Sequence, residues 1–251
     1  EELPVKDEYT GKELFSMILP KDLSTEFKTS FGDYETAQET AVINNGVLKK
    51  GVIDDNALGE KKAKLIDLVE RKYGVGTAKR FIDQAARLAL EVVTMRGFSI
   101  SFSDMDITER ARKHAEEIIE KYEKNVEKLI KDYKAGHIEK VAGLTPEMTL
   151  ENKILQLGGM VTNESSEVIA KDLPLNAAVT MAVTGARGSF VNLTQMCALV
   201  GQETIEGERI RRGYVNRKLP HFEEGDAGLK ACGFVSHGYK KGLDQFELFF
   251  D

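Results

Sequence analysis

The stretch ITERARKHAEEIIEKYEKNVEKLIKDYKAG, residues 107–136, decides the fold class. Ile107, Ala111, Ala115, Ile118, Tyr122, Val126, Leu129 and Tyr133 recur at spacings of three and four, one apolar stripe that ends near Gly136. The opposite face carries Glu109/Lys113, Glu117/Lys121, Glu120/Lys124 and Glu127/Lys131, each acid four residues ahead of its base. Such pairs add about 0.2–0.5 kcal/mol each to a helix. A helix of this kind stands partly free of the body, and one narrow stripe asks for one neighbour. Phe81, Ala85, Leu88 and Val92 offer it: a helix over 77–95, with Thr77 as N-cap and Gly97 as the stop. The expectation is a protruding antiparallel hairpin. Its 107–135 helix should be the longest in the chain, with the stripe half covered unless the 77–95 helix lies on it.

Upstream of the hairpin the period changes. Leu14 to Leu19, ending at Pro20, reads as a short buried strand, and the β-prone runs 41–43, 47–48 and 51–53 flank Asn45-Gly46, a strong hairpin signal. Downstream, Thr145-Pro146-Glu147 reads as a helix start, with Thr as cap and Pro in the first helical position. Gly158-Gly159 lies inside that helix, where each glycine costs about 1 kcal/mol relative to Ala. Leu175 to Val183 is short and apolar; Val191, Met196 and Leu199-Val200 define a buried helix to Gly201; Gly233-Phe234-Val235 is β-like, and Leu243 to Phe250 starts a new apolar element. The fold class is therefore α+β and α-dominated. It divides into a β-rich piece over 1–60, a helical hairpin over 61–144 and a mixed helical region over 145–251.

The composition, 41% hydrophobic and 30% charged over 251 residues, is that of a globular chain of one large or two ordinary domains. No apolar run approaches the roughly 20 residues of a membrane span. The net charge of -6 gives no global attraction to nucleic acid. Cys197 and Cys232 form no Cys-x-x-Cys and suit small buried thiols, which fits a reducing cytoplasm. The charged start Glu1-Glu2-Leu3-Pro4 has no signal-peptide pattern, and the missing initiator Met and the apolar end at Phe249-Phe250 read as a segment of something longer.

Four groups of residues carry candidate chemistry. Gly185-Ala186-Arg187-Gly188-Ser189 suggests a phosphate loop, but a Walker-type loop needs Gly-x-x-x-x-Gly-Lys-Ser/Thr, and both the spacing and the Lys are wrong. The residues serve a tight turn instead, with Ser189 capping the helix from Phe190 and Arg187 available to a carboxylate or phosphate. Asp104 and Asp106 offer two carboxylates to a hard cation, against the commoner reading as helix-start chemistry. His114, His137, His221 and His237 show no zinc spacing, and no Gly-x-Ser-x-Gly elbow is present. Arg209, Arg211, Arg212, Arg217 and Lys218, with Tyr214 among them, are the one basic concentration: a solvated surface, or a site for a phosphate-bearing partner.

Several motifs taken in order resemble a known family. Tyr9-Thr-Gly-Lys-Glu-Leu-Phe-Ser-Met-Ile-Leu-Pro20, Asn45-Gly46 with Gly51-Val-Ile-Asp54, Arg96-Gly-Phe-Ser-Ile100, Gly185-Ala-Arg-Gly-Ser-Phe-Val-Asn-Leu-Thr-Gln-Met196, Val200-Gly-Gln202, Gly207-Glu-Arg-Ile210, Leu219-Pro-His-Phe222, Gly233-Phe-Val235 and Gly242-Leu243 are similar to successive motifs of the largest subunit of multisubunit DNA-directed RNA polymerases, in the archaeal and eukaryotic style. The resemblance implies the funnel or pore around the secondary channel, up to the start of the bridge helix near Gly242-Leu243. It implies a path for nucleoside triphosphates inward and backtracked RNA outward, and a rim that receives transcript-cleavage factors. Arg187, Gln195, Gln202 and Glu203 are the side chains it implies for lining the channel or bracing the bridge helix. Other polymerase subunits are the implied partners, and a cytoplasmic, nucleoid-associated location follows for an archaeal member. The family's Asn-Ala-Asp-Phe-Asp-Gly-Asp loop is absent, so no cofactor is expected in this segment, with magnesium bound elsewhere in the complete polymerase and the isolated segment inactive.

Some positions depart from the pattern. Glu203 replaces an amide where amatoxins contact eukaryotic enzymes, so toxin sensitivity does not carry over. Gly158-Gly159-Met160-Val161-Thr162-Asn163 replaces Leu-Asn-x-x-Arg-Asp, Cys232 stands where Arg or Lys is usual, and Asp244 and Asp251 alter the Gly-Leu-Thr-Pro-x-Glu-Phe-Phe-Phe-His run. The alternatives are a stand-alone helical interaction module and a nucleotide-binding enzyme using Gly185 to Ser189.

Overall fold

The computed structural model describes residues 8–33, 38–60, 62–139, 141, 143–211, 213–215 and 217–251. The chain is α+β and forms two compact units. One holds the described residues up to Ile100 with Thr180–Arg187, and the other holds Ser101–Val179 with Gly188–Asp251.

In the first unit, helix α1 (Gly11–Ser16) precedes strands β1 (Thr25–Lys28), β2 (Thr40–Asn44) and β3 (Val47–Lys50), an antiparallel sheet in the order β1-β2-β3. The hairpin expected at Asn45-Gly46 forms there, with φ of 46° and 71° at the two turn residues, the left-handed pair that a two-residue turn requires. Leu14 to Leu19 is not a strand. Thr10 and Glu13 cap each other's backbone: Thr10 N donates to Glu13 Oε2 at 2.9 Å and Glu13 N to Thr10 Oγ1 at 3.3 Å, and this box nucleates α1 within the apolar run. Helices α2 (Asp55–Leu58), α3 (Lys64–Tyr73) and α4 (Val75–Arg96) follow. Gly74, not Thr77, is the N-cap of α4. Leu23, Ile43, Leu65, Val69 and Phe81 make the core of this unit, with Phe15 edge-on to Phe81 at 6.1 Å between ring centroids.

In the second unit, α5 (Glu109–Lys134) starts at the Thr108 cap and α6 (Pro146–Asp172) at the Thr145 cap, with Pro146 in the first helical turn as expected. The partner of α5 is α6 rather than the 77–95 helix. Ile118, Tyr122 and Val126 bury against Leu150, Ile154 and Val161, and Thr108 at the start of α5 bonds Asp172 at the end of α6 through its N (2.7 Å) and Oγ1 (2.6 Å), which fixes an antiparallel pair. The stripe is covered, not half covered. The longest helix is α6, at 27 residues against 26 for α5. Periodicity does not mark α6 as the partner, because its buried face includes Thr149, Gly158, Ser165 and Ser166, small and polar residues that blur the apolar repeat.

Helix α7 (Ala177–Thr184) leads to the Gly185 turn, then α8 (Phe190–Cys197). The buried face of α8 is Leu193, Thr194 and Cys197; Val191 and Met196, expected inside, are each 37% exposed, and the helix stops before Leu199. Beyond it, β4 (Gly201–Gln202) pairs antiparallel with β7 (Phe234–Val235), β5 (Thr204–Ile205) pairs with β6 (Glu208–Arg209), and α9 (Gln245–Phe250) ends the chain. Gly201, at φ +105°, lets β4 press on α6: a Cβ there would lie 2.5 Å from Thr162 Oγ1. Among the described residues no helix is long and apolar enough to cross a membrane.

Candidate functional site

The Gly185 turn does not present a phosphate cradle. Gly185 has φ +74°, and a Cβ on it would come 2.6 Å from Asp55 Cβ, so the bare backbone serves close packing beside a carboxylate that repels phosphate. Asn192 Oδ1 accepts from Ser189 N at 2.9 Å and from Ser189 Oγ at 3.0 Å, closing the expected cap of α8. Arg187 is exposed and has no ion pair or side-chain hydrogen bond among the described residues.

The other nominated side chains sit where α8, β4, β7 and α9 meet. The half-buried Gln195 holds the loop before α9 through its carbonyl, which accepts from Tyr239 N at 3.0 Å. Gln202 points inward: its Nε2 donates to Glu203 O at 2.9 Å and Cys232 O at 2.8 Å, and a Cβ on Gly158 would lie 3.1 Å from its Cβ. Gly158 thus makes room for Gln202 against α6. Glu203 N donates to Gly233 O at 2.9 Å. Burial, reinforced by the Asp251 carboxylate, pushes the Glu203 carboxyl above the usual range. Tyr239 Oη donates to Asp251 Oδ1 at 2.7 Å, and that bond, with burial, pushes the phenol up to about 12.

The most heavily bonded group of the joint is Glu247, which the sequence alone does not single out. Its Oε1 accepts from Ser236 N (2.7 Å), Ser236 Oγ (2.7 Å) and His237 N (3.2 Å); its Oε2 accepts from His237 Nδ1 (2.7 Å) and Asp244 N (3.0 Å). Burial alone would raise this carboxyl, yet the bonds from Asp244, Ser236 and His237 hold it down at about 2. His237, Asp244 and Glu247 have the makings of a cation group, but protein donors already fill the carboxylate of Glu247, and Asp244 Oδ1 caps Phe246 N and Glu247 N at 2.9 Å each. The cluster is a clamp joining the exit of β7 to the start of α9. Its visible sequence signal is Asp244-x-x-Glu247, a capping pattern.

The basic run does not form one surface. Arg209 is 2% exposed and pairs with Glu151 of α6 through Nε (2.9 Å) and Nη2 (3.0 Å), while Nη1 and Nη2 also donate to the carbonyls of Gly228 and Ala227. This corrects the expectation of a solvent-facing cation, because a guanidinium with four such acceptors is an interior strut. Arg211 pairs with Glu208 at 3.6 Å, Lys218 Nζ donates to Asp226 O at 3.1 Å, and Arg217 N donates to Tyr214 O at 3.4 Å. Arg212 lies outside the described residues. Asp104 and Asp106 part ways: Asp104 Oδ2 accepts from Ser101 N at 2.7 Å and caps a short 3-10 turn, and Asp106 pairs with Lys240 at 2.5 Å.

The site thus lies in an α+β chain whose second unit combines a long antiparallel helix pair, α5 and α6, with short strands and the C-terminal helix α9. Residues 2–105 match the family model described as RNA polymerase Rpb1, domain 3, and residues 130–235 match RNA polymerase Rpb1, domain 4. The chain is 42% identical to DNA-directed RNA polymerase subunit Rpo1N of Methanothermobacter thermautotrophicus, with 99% of this chain and 30% of that subunit covered. It is 38% identical to the Rpo1N of Thermococcus celer (96% and 30% covered) and 40% identical to that of Halobacterium salinarum (97% and 25%). The chain belongs to the family of archaeal-type RNA polymerase largest subunits and spans about 30% of the length of the first of these relatives.

Proposed function

We propose that this chain forms the funnel of an RNA polymerase, the wall of the secondary channel through which nucleoside triphosphates enter and backtracked RNA leaves. The observation that carries the reading is the order of matched domains, Rpb1 domain 3 then domain 4, joined to the bonds of Gln202 and Glu247 that fix the approach to α9. The Gln202 side chain braces that approach by its bond to Cys232 O, as the Gln195 backbone carbonyl does by accepting from Tyr239 N, and Arg187 and Glu203 are the side chains left to face traffic. Other polymerase subunits and transcript-cleavage factors are the partners of this reading. Magnesium and nucleotidyl transfer belong to other parts of the complete enzyme.

The test is a polymerase reconstituted with this segment in its largest subunit. In this reading the segment linking α5 to α6 lies at the rim, and replacing it with a Gly-Ser linker of equal length is expected to lower factor-stimulated cleavage of stalled transcripts by roughly tenfold while elongation changes less than about twofold. Equal cleavage in the two enzymes overturns the rim assignment. The 251-residue chain alone, given magnesium and nucleoside triphosphates, is expected to show neither RNA synthesis nor hydrolysis; turnover that disappears in Arg187→Ala overturns the scaffold reading.

A further inference from the structure

A cavity of about 510 Å³ opens within the second unit, between α5 and the segment that links α8 to α9. Its volume lies in the range of small-molecule sites, roughly 300–1,000 Å³. Met105, Ile107, Ala115, Ile119, Cys197 and Ala198 line it, and Met105 Sδ sits 3.9 Å from Cys197 Sγ, a pair of polarisable sulfurs on an apolar floor. The mouth is charged and its charges are paired: Glu123 with Lys230 at 3.1 Å, Glu116 with Lys241 at 3.9 Å and Asp106 with Lys240 at 2.5 Å across the cavity lining, and Arg112 and Glu120 with Glu109 (3.4 Å) and Lys124 (3.7 Å) just outside it. An ionic ligand would have to break one of these pairs or leave its own charge uncompensated over the apolar floor, whereas an uncharged ligand does neither. Sulfur atoms make favourable contacts with aromatic rings. His237 is on the same wall with Nδ1 committed to Glu247, so Nε2 is the ring nitrogen left for a ligand.

We propose that this cavity is a binding site for a small, uncharged aromatic molecule of one or two fused rings carrying a single hydrogen-bonding group. The site is independent of the funnel reading: it rests on the cavity, its sulfur floor and the paired charges at its mouth. A bound ring would wedge α5 against the segment entering α9, which makes the site a place for an inhibitor or regulator to act.

The test uses the 251-residue chain and indole, with indole-3-acetate and tryptamine as the anionic and cationic counterparts. Cys197 lines the cavity and Cys232 does not, so Cys232 is an internal control for alkylation. Burial pushes the Cys197 thiol up to about 11, so labelling by iodoacetamide is run near pH 9.5, roughly, to supply enough thiolate. Saturating indole is expected to slow alkylation of Cys197 by roughly tenfold and to leave Cys232 unchanged, and the charged analogues should need at least about tenfold higher concentration for the same protection. Ala115→Phe, which fills the cavity, should abolish indole binding in equilibrium dialysis. Equal slowing at both cysteines, stronger protection by either charged analogue, or full binding in a folded Ala115→Phe overturns the proposal. If Ala115→Phe does not fold, the comparison of Cys197 with Cys232 in the unaltered chain decides.

Discussion

The outer face of α5 and the joint around α9 are both rich in ionisable groups, and they use them in opposite ways. On α5 the charges are many and lightly bonded. Of the four Glu-to-Lys pairs expected there, Glu120–Lys124 forms at 3.7 Å with both side chains more than two-thirds exposed; Lys121 turns instead to Glu164 of α6 at 3.1 Å, and Glu109 pairs with Arg112 at 3.4 Å. Inside the same unit two buried side chains, Arg209 against α6 and Glu247 at the joint, gather four and five hydrogen bonds. The difference teaches that the number of charges on a surface says little about what holds the chain together. Burial and the count of satisfied donors and acceptors decide it.

The strongest way to break that comparison is Arg209→Met. It leaves Glu151 of α6 without its guanidinium and the carbonyls of Ala227 and Gly228 without donors, and it should cost about 3–5 kcal/mol in denaturant unfolding. The double variant Glu151→Leu/Arg209→Met should recover the share of that loss that comes from the unpaired Glu151, since replacing both partners of a buried pair by apolar residues is often near neutral, while the two carbonyls stay without donors. A single-variant cost below about 1 kcal/mol would make Arg209 no different from an α5 surface charge.

Glu247→Gln comes next. It keeps the shape but removes the charge that draws donors from Ser236, His237 and Asp244, at an expected cost of about 2–4 kcal/mol at neutral pH. The pH dependence has a fixed sign. With a folded-state pKa of about 2 against an ordinary value of 4.5, Glu247 contributes stability that is fully present above about 4.5 and is lost as pH falls towards about 2. The stability difference between the wild-type chain and Glu247→Gln should therefore shrink across that window. A difference that stays constant from about pH 6 to about 2.5 would show that the carboxylate is not what the clamp depends on.

How far these features were legible follows from their range along the chain. The Asn45-Gly46 hairpin, the Thr145-Pro146 helix start and the stripe of α5 are local, and local chemistry settles them: left-handed turn residues, a cap beside a residue without an N–H, and a repeat near 3.6. The Thr10-x-x-Glu13 box is equally local, but the apolar run after it favours a strand by pattern where α1 forms. What could not be read is what depends on partners distant in sequence. Arg209 looks like one of a row of cations until Glu151, 58 residues away, is brought against it, and no periodicity announces that. The same holds for the choice of α6 over α4 as the cover of α5. Glu247 lies between the two cases, since Asp244-x-x-Glu247 signals a cap but not the Ser236 and His237 donors that complete the clamp.

The adjacent glycines of α6 carry the comparison down to about 1 kcal/mol. A methyl group added at Gly159 would meet nothing within 4 Å, so Gly159→Ala gains helix propensity without a clash and should stabilise by about 1 kcal/mol. Gly158 faces the joint, where the same methyl would sit 3.1 Å from Gln202 Cβ, so Gly158→Ala should fall short of the Gly159→Ala gain by the strain of moving Gln202. Thermal melts of the two variants check this, and equal shifts would mean that the contact between α6 and Gln202 is loose.

The smallest expected effect lies on α5 itself. Lys124→Ala removes the Glu120–Lys124 pair, whose partners are exposed and 3.7 Å apart, and replaces Lys with a residue of somewhat higher helix propensity. The two terms oppose each other, and each is only a few tenths of a kcal/mol. Unfolding free energy should therefore change by less than about 0.5 kcal/mol, and the change should become more favourable to Ala as salt screens the pair. A loss above about 1 kcal/mol would mean that the exposed ladder of α5 acts as a network rather than as separate contacts, and the contrast with the buried joint would then be one of degree.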